Sequence, residues 1–113
     1  MKVTLERYSN ADVVRLVGPL NAESAPQVRL ELESVLVRSP ALVVFDLMHV
    51  PDMDSSGIGT LIWALKRARM QGGDVRVLHL RGMVRRLFEL LHLERTMVVC
   101  EDLDVAVAPS AAA

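Results

Sequence analysis

Hydrophobic and polar residues alternate along one short stretch near the start of the chain, and a second, mostly apolar stretch follows it. The first stretch covers residues 3–8 and the second covers residues 13–17. Ser9-Asn10 between them is typical of a turn. A period of two places the apolar side chains on one face of a strand. The pattern therefore predicts two adjacent strands that pair as a hairpin.

Three later segments carry apolar residues at the helical spacing of three and four positions. They cover residues 25–36, which end before Pro40, residues 58–71, which end at Gly72-Gly73, and residues 84–91. A short apolar run of strand length follows each helical segment. These runs are residues 41–45, 75–80 and 97–100. Residues 41–45 are apolar throughout, which predicts a central strand covered on both faces. A short last helix is predicted to begin near Asp102.

Alternation of strands with helices predicts an α/β fold. Successive strands joined by helices form a parallel sheet, and the first hairpin adds an antiparallel edge. We expect one domain, residues 1–107, with a mixed, largely parallel sheet of about four to five strands and helices packed on it. Residues 108–113 are expected to form a disordered tail. The length of 113 residues with 51% apolar residues suits one compact core.

Composition and charge narrow the classes of function. The formal net charge of -1 argues against a nucleic-acid-binding protein, which usually carries a basic excess. Cys100 is the single cysteine, so no internal disulfide can form and a reducing compartment is favoured. No apolar run approaches the length of a membrane span. We therefore expect a cytoplasmic protein that has no membrane span and no nucleic-acid partner.

The residues that commonly carry chemistry do not form a catalytic or metal-binding pattern. His49, His79 and His92 are far apart and lack metal-ligand spacing. Cys100 has no nucleophile motif around it and is expected in the core. Ile62 stands where a dinucleotide fingerprint needs its third glycine. We predict no catalytic residue, no metal and no cofactor, and we expect the chain not to be an enzyme.

One polar loop stands out between the predicted central strand and the second helix. It contains Pro51, Asp52, Met53, Asp54, Ser55, Ser56 and Gly57. Aspartate and serine oxygens at this point can accept hydrogen bonds from the first helical N–H groups. Such residues are favoured at any helix start, so the loop by itself indicates a well-capped helix. The longer sequence around it adds information.

The segment VVFDL at 43–47, followed by MDSSGIG at 53–59, resembles the STAS domains of anti-sigma factor antagonists, which are bacterial regulators of transcription. The resemblance runs from about residue 3 to residue 107. It includes Gly72-Gly73 before a strand and residues 84–90 followed by Leu93. Several separate segments thus occur in the order seen in that family.

The resemblance implies a partner-switching function. In that family the unphosphorylated antagonist binds an anti-sigma factor with a histidine-kinase-like ATPase fold, which frees a sigma factor. The kinase phosphorylates the first serine after the aspartate, which corresponds to Ser55, and a PP2C-type phosphatase reverses the reaction. Ser55 is thus the expected phosphorylation site.

The expected partner-binding residues are Asp52, Met53, Asp54, Ser55, Ser56, Gly57, Asn21 and Trp63. Asn21 ends the segment Gly18-Pro19-Leu20-Asn21, where the family pattern has aspartate, so this chain departs from the family in charge. Trp63 lies far around the helical wheel from Ile58, Ile62 and Leu65. Its position fits either a partner surface or packing beneath a neighbouring loop.

Two alternatives use the same fold. The chain could be a non-switching STAS subunit of a lipid-transport ATPase, or a scaffold module in a stress-signalling assembly. The first would lack phosphorylation at Ser55, and the second would release a different partner. The absence of a sensor domain weighs against the scaffold.

Overall fold

A single mixed sheet of five strands organises residues 1–109, the part of the chain that the computed structural model describes. The strands are β1 (Lys2–Tyr8), β2 (Ala11–Val17), β3 (Leu42–His49), β4 (Asp74–Leu78) and β5 (Val98–Cys100). They lie in the sheet in the order in which they occur in the chain. β1 and β2 are antiparallel, and every pairing from β2 to β5 is parallel. The predicted α/β class, hairpin and mixed sheet are confirmed.

Helices cover both faces of the sheet unequally. They are α1 (Ala25–Leu36), α2 (Ser55–Met70), α3 (Gly82–Leu90) and α4 (Leu103–Val107), and a single 3-10 turn, Leu93–Arg95, precedes β5. The first three helices pack on one face, where Leu61 and Phe88 contribute to the core around Phe45. On the other face Ala106 of α4 packs in a smaller cluster with Cys100. The principal core therefore lies beneath α1, α2 and α3.

Several element boundaries differ from the sequence prediction, including the end of β4 and the start of α2. β4 ends earlier than residue 80, because His79 adopts a φ of 61°, outside the β region. α2 begins at Ser55, so three residues expected in the loop form its first turn. Asp54 is the N-cap, and its side chain accepts a hydrogen bond from the N–H of Gly57. This bond satisfies a donor that the helix itself leaves free.

A buried arginine attaches the last helix to the sheet. Arg76 on β4 is only 8% exposed, and its Nη1 donates to the carbonyl oxygens of Ala106 at 2.8 Å and Ala108 at 2.6 Å. These carbonyls lie at the end of α4, where no helical N–H remains to bond them. The domain boundary at residue 107 stays a prediction, and the predicted disordered tail falls largely on residues 110–113, outside the described residues.

Cys100 is buried beneath α4, as the sequence predicted. Burial raises the pKa of its thiol above the ordinary value of 9.0, while the positive charge of Arg76 acts in the opposite direction and Glu101 adds to the rise. The unfolded thiol therefore ionises at a lower pH than the folded one. Its contribution to stability is complete below the unfolded pKa and is lost progressively as the pH rises from there through the higher folded pKa.

We expect the free energy of unfolding to fall more steeply above about pH 9 in the wild type than in Cys100→Ala, because only the wild type has this thiol to ionise. Urea denaturation of both proteins at a series of pH values from neutral to alkaline measures the difference. Parallel pH profiles would contradict the expectation.

Candidate functional site

Two loops meet at the edge of the sheet where the parallel strands β2 and β3 end. A short parallel bridge joins Leu20 to Met53. The N–H of Leu20 donates to the carbonyl of Asp52 at 3.2 Å, and the N–H of Asp54 donates to the carbonyl of Leu20 at 3.3 Å. The backbone groups of each loop thus form hydrogen bonds with the other loop, so the two loops form one unit. This arrangement brings the start of α1 next to the start of α2.

Asn21 shapes the start of α1. Its Oδ1 accepts hydrogen bonds from the N–H groups of Glu23 at 3.0 Å and Ser24 at 3.1 Å. The hydroxyl of Ser24 donates to the carbonyl of Pro19 at 2.8 Å. A carboxylate oxygen at position 21 would accept the same two N–H groups. The departure from aspartate therefore keeps the turn and removes one negative charge from this surface.

Asp54 connects the two helix starts. One carboxylate oxygen accepts from the N–H of Gly57 at 3.0 Å, and the other accepts from the N–H of Ala22 at 3.3 Å. The first bond caps α2, and the second reaches across to the loop before α1. The predicted capping chemistry thus resides in the Asp54 side chain, which also holds Ser55 in a fixed position as the first residue of α2.

Two of the predicted partner-binding residues lie beneath the surface. Met53 is only 6% exposed. Gly57 is buried, and a Cβ added to it would lie 2.3 Å from the carbonyl oxygen of Leu20 and 2.6 Å from the Met53 side chain. Glycine is needed here because the backbone of the other loop approaches so closely. Both residues determine how the loop before α2 packs against the loop before α1.

Ser55 lies at the surface beside a groove between α1 and α2. The groove has a volume of about 540 Å³. We call it the α1–α2 groove, and its lining residues are Ala22, Ala25, Pro26, Arg29, Ser55, Ser56 and Gly59. Ser55 and Asp52 are exposed, whereas Ser56 is half-buried. Among the described residues, the Ser55 hydroxyl has no hydrogen-bond partner. An enzyme or a binding partner can therefore reach it.

Trp63 lies further along α2 on the same side as Ser55. Its side chain is half-buried and packs against the principal core. The guanidinium groups of Arg29 and Arg67 each lie 5.3 Å from the centre of its rings. Such contacts are attractive because the face of an indole ring carries negative potential. Trp63 is thus flanked by two arginines, and its role in binding a partner stays a prediction.

Sequence reasoning did not select Arg29 or Gly59 as site residues. Arg29 belongs to the polar side of the predicted α1, and only the packing of α1 on α2 brings it to the groove of Ser55. Gly59 had a signal in the sequence, because it is a glycine within a helical pattern. That signal indicates either close packing or a functional reason without saying which.

Among residues 1–109, no helix has the length and apolar composition needed to cross a membrane. In the same part of the chain, no group of three or more histidine, cysteine, aspartate or glutamate side chains is arranged to hold a metal ion.

Known proteins share this fold and part of this sequence. The anti-sigma-B factor antagonist of Listeria monocytogenes is 31% identical over 88 residues, which are 78% of this chain and 77% of the relative. The crystal structure of an anti-sigma factor antagonist from Mycobacterium paratuberculosis has a TM-score of 0.83 at 24% identity, with 94% of this chain and 90% of that chain covered.

A third similar protein, SpoIIAA, has been solved in two states. Its unphosphorylated form has a TM-score of 0.76 at 21% identity, with 92% of each chain covered. The phosphorylated form of the Bacillus protein has a TM-score of 0.70 at 20% identity, with 92% of this chain and 96% of that chain covered. At these identities the structures establish a common fold. A family model described as the STAS domain matches residues 2–106. This chain therefore belongs to the STAS domain family.

Proposed function

We propose that this chain is an anti-sigma factor antagonist. Its unphosphorylated form binds an anti-sigma factor with a histidine-kinase-like ATPase fold and thereby frees a sigma factor for transcription. The names of its relatives support the general role. The observation that carries the proposal is the exposed Ser55, held at the start of α2 by the Asp54 cap and open to an approaching protein.

Phosphorylation of Ser55 by the bound kinase is proposed to end the interaction. A phosphate adds about -1.5 to -2 charges at neutral pH to a surface that already carries the exposed Asp52. The N-terminal end of α2 tolerates an anion because its dipole is positive there. The modified domain therefore keeps its fold and loses its partner by repulsion and bulk. A PP2C-type phosphatase would restore the binding form.

The chain acts in this scheme as the substrate of a kinase and performs no catalysis itself. The Ser55 hydroxyl has no hydrogen bond to a described residue that could serve as its base. The remaining predicted partner-binding residues include Asn21, which precedes α1, and Ser56 and Trp63, which lie on α2 together with Ser55. We assign this switch to the cytoplasm, because the single cysteine, Cys100, is a free thiol and thiols stay reduced in that compartment.

Partner capture from the lysate of the native cell tests the proposal. Wild type and Ser55→Ala serve as baits, bound proteins are identified by mass spectrometry, and the recovered wild type is mapped for phosphate. We expect both baits to retain an anti-sigma factor of the ATPase class and the phosphate to lie on Ser55. Recovery of a transport ATPase with an unmodified Ser55 would contradict the proposal and favour the lipid-transport subunit.

A further inference from the structure

Gly59 lines the α1–α2 groove without a packing reason to be glycine. A Cβ added to Gly59 would meet no heavy atom within 4 Å. Glycine inside a helix is less stable than alanine, because it loses more conformational freedom on folding. Gly57, two residues earlier and on the buried side of α2, is packed tightly and has such a reason. The absence of a side chain at Gly59 therefore keeps the groove open and weakens α2.

Arg29 brings a positive charge to this groove. Among the described residues it forms no ion pair, whereas Arg67, the other arginine in contact with Trp63, reaches Glu33 at 3.5 Å. The contact between Arg29 and the Trp63 ring orients the guanidinium without neutralising it. The other lining residues are small or uncharged. The groove thus combines one unneutralised cation with open space and has no carboxylate in its lining.

We propose that the α1–α2 groove receives an acidic side chain of the anti-sigma factor, which passes over Gly59 and pairs with Arg29. This inference rests on the proposed function and names the chemistry that the partner presents. Charge complementarity selects a carboxylate, since the lining residues of the groove include a guanidinium and no carboxylate. Arginine and tryptophan are also the residue types that most often carry binding energy at protein interfaces.

The distance along α2 fits a single segment of the partner. Ser55 and Trp63 are eight residues apart, which corresponds to about 12 Å along a helix. Gly59 lies between them, with one turn of helix on each side. A partner segment that contacts Ser55 therefore reaches Trp63 by crossing Gly59, and its acidic side chain arrives beside Arg29.

The same placement gives phosphorylation a second effect. Ser55 and Arg29 line the same groove, so a phosphate on Ser55 would bring negative charge into the space that the acidic side chain occupies. It would also offer Arg29 a competing anion. Phosphate and partner carboxylate thus exclude each other from one groove.

Calorimetric titration of the full chain with the anti-sigma factor identified by capture tests the groove. We expect Arg29→Gln to lower the affinity about tenfold and to weaken its dependence on salt, because one charge pair is lost. Gly59→Ala is also expected to lower the affinity about tenfold, while it raises Tm by about 3 °C through the gain in helix stability. A purely structural role of Gly59 would not lower affinity and raise stability together.

Matched variants lie away from the groove. Arg95→Gln removes an exposed arginine before β5, and Ser34→Ala raises helix propensity on another side of α1, so both should bind as the wild type does. Ser55→Asp in the same series tests the proposed function separately. Loss of binding in Ser55→Asp with wild-type affinity in Arg29→Gln and Gly59→Ala would overturn the groove proposal alone. Equal binding by wild type and Ser55→Asp would overturn the switch itself.

Discussion

Ser55→Asp is expected to weaken binding to the anti-sigma factor about a hundredfold, which corresponds to about 2.7 kcal/mol. The carboxylate introduces a negative charge at the exposed first residue of α2, close to Asp52. A partner that packs against this surface must either remove water from the new charge or stay further away, and both weaken the complex. Calorimetric titration of the purified proteins measures the change.

Two controls separate the effect of position from the effects of charge and folding. Ser55→Ala removes the hydroxyl without adding charge and should bind as the wild type does. Ser34→Asp adds the same charge on the exposed part of α1 away from the groove and should change the affinity less than twofold. All three variants should unfold within a few degrees of the wild type. An equal loss of affinity in Ser34→Asp would show that net charge, and not Ser55, controls binding.

Gly57→Ala should destabilise the domain by about 3 kcal/mol, the upper end of the range for overpacking. The new methyl group would lie 2.3 Å from the carbonyl oxygen of Leu20, a backbone atom that no change of rotamer can move. The loop before α1 would have to separate from the loop before α2, which breaks the bridge between Leu20 and Met53. Urea denaturation, with the free energy extrapolated to water, measures the loss.

Gly59→Ala is the matched control in the same helix. Its methyl group meets no heavy atom within 4 Å, so we expect a gain of about 0.5–1 kcal/mol from helix propensity. The same chemical change thus acts with opposite sign at two positions that are two residues apart. A comparable loss of stability in both variants would contradict the described approach of the two loops.

Much of the architecture follows from local patterns in the sequence. The apolar spacing of α1 and the continuous apolar run at the start of β3 predicted their roles, because burial of one stripe or two faces imposes those periods. The start of α2 was predicted three residues too late, because the apolar spacing begins only at residue 58. In the structure the Asp54 side chain caps the helix, which begins at Ser55. Capping residues indicate that a helix begins nearby, and the hydrogen bond decides at which residue.

The sequence patterns did not predict the α1–α2 groove. Periodicity assigns Arg29 to the polar side of α1 and does not give the angle at which α1 packs on α2. The contact of Arg29 with Trp63 therefore appears only in three dimensions. Arg76 is a similar case, because a charged residue in a strand is usually exposed, and here α4 and the residue that caps it bury Arg76 and offer it two carbonyl oxygens.

The agreement between strand order in the sheet and order in the chain has a consequence for biosynthesis. Each strand pairs with the one made just before it, so every new strand adds to an edge that has already left the ribosome. β1 and β2 can pair first, and β3 and β4 then extend the sheet while the rest is still being translated. Every pair of neighbouring strands in the sheet is also consecutive in the chain. The sheet of the nascent domain thus grows at one edge only, and β5 is the last strand to be added there.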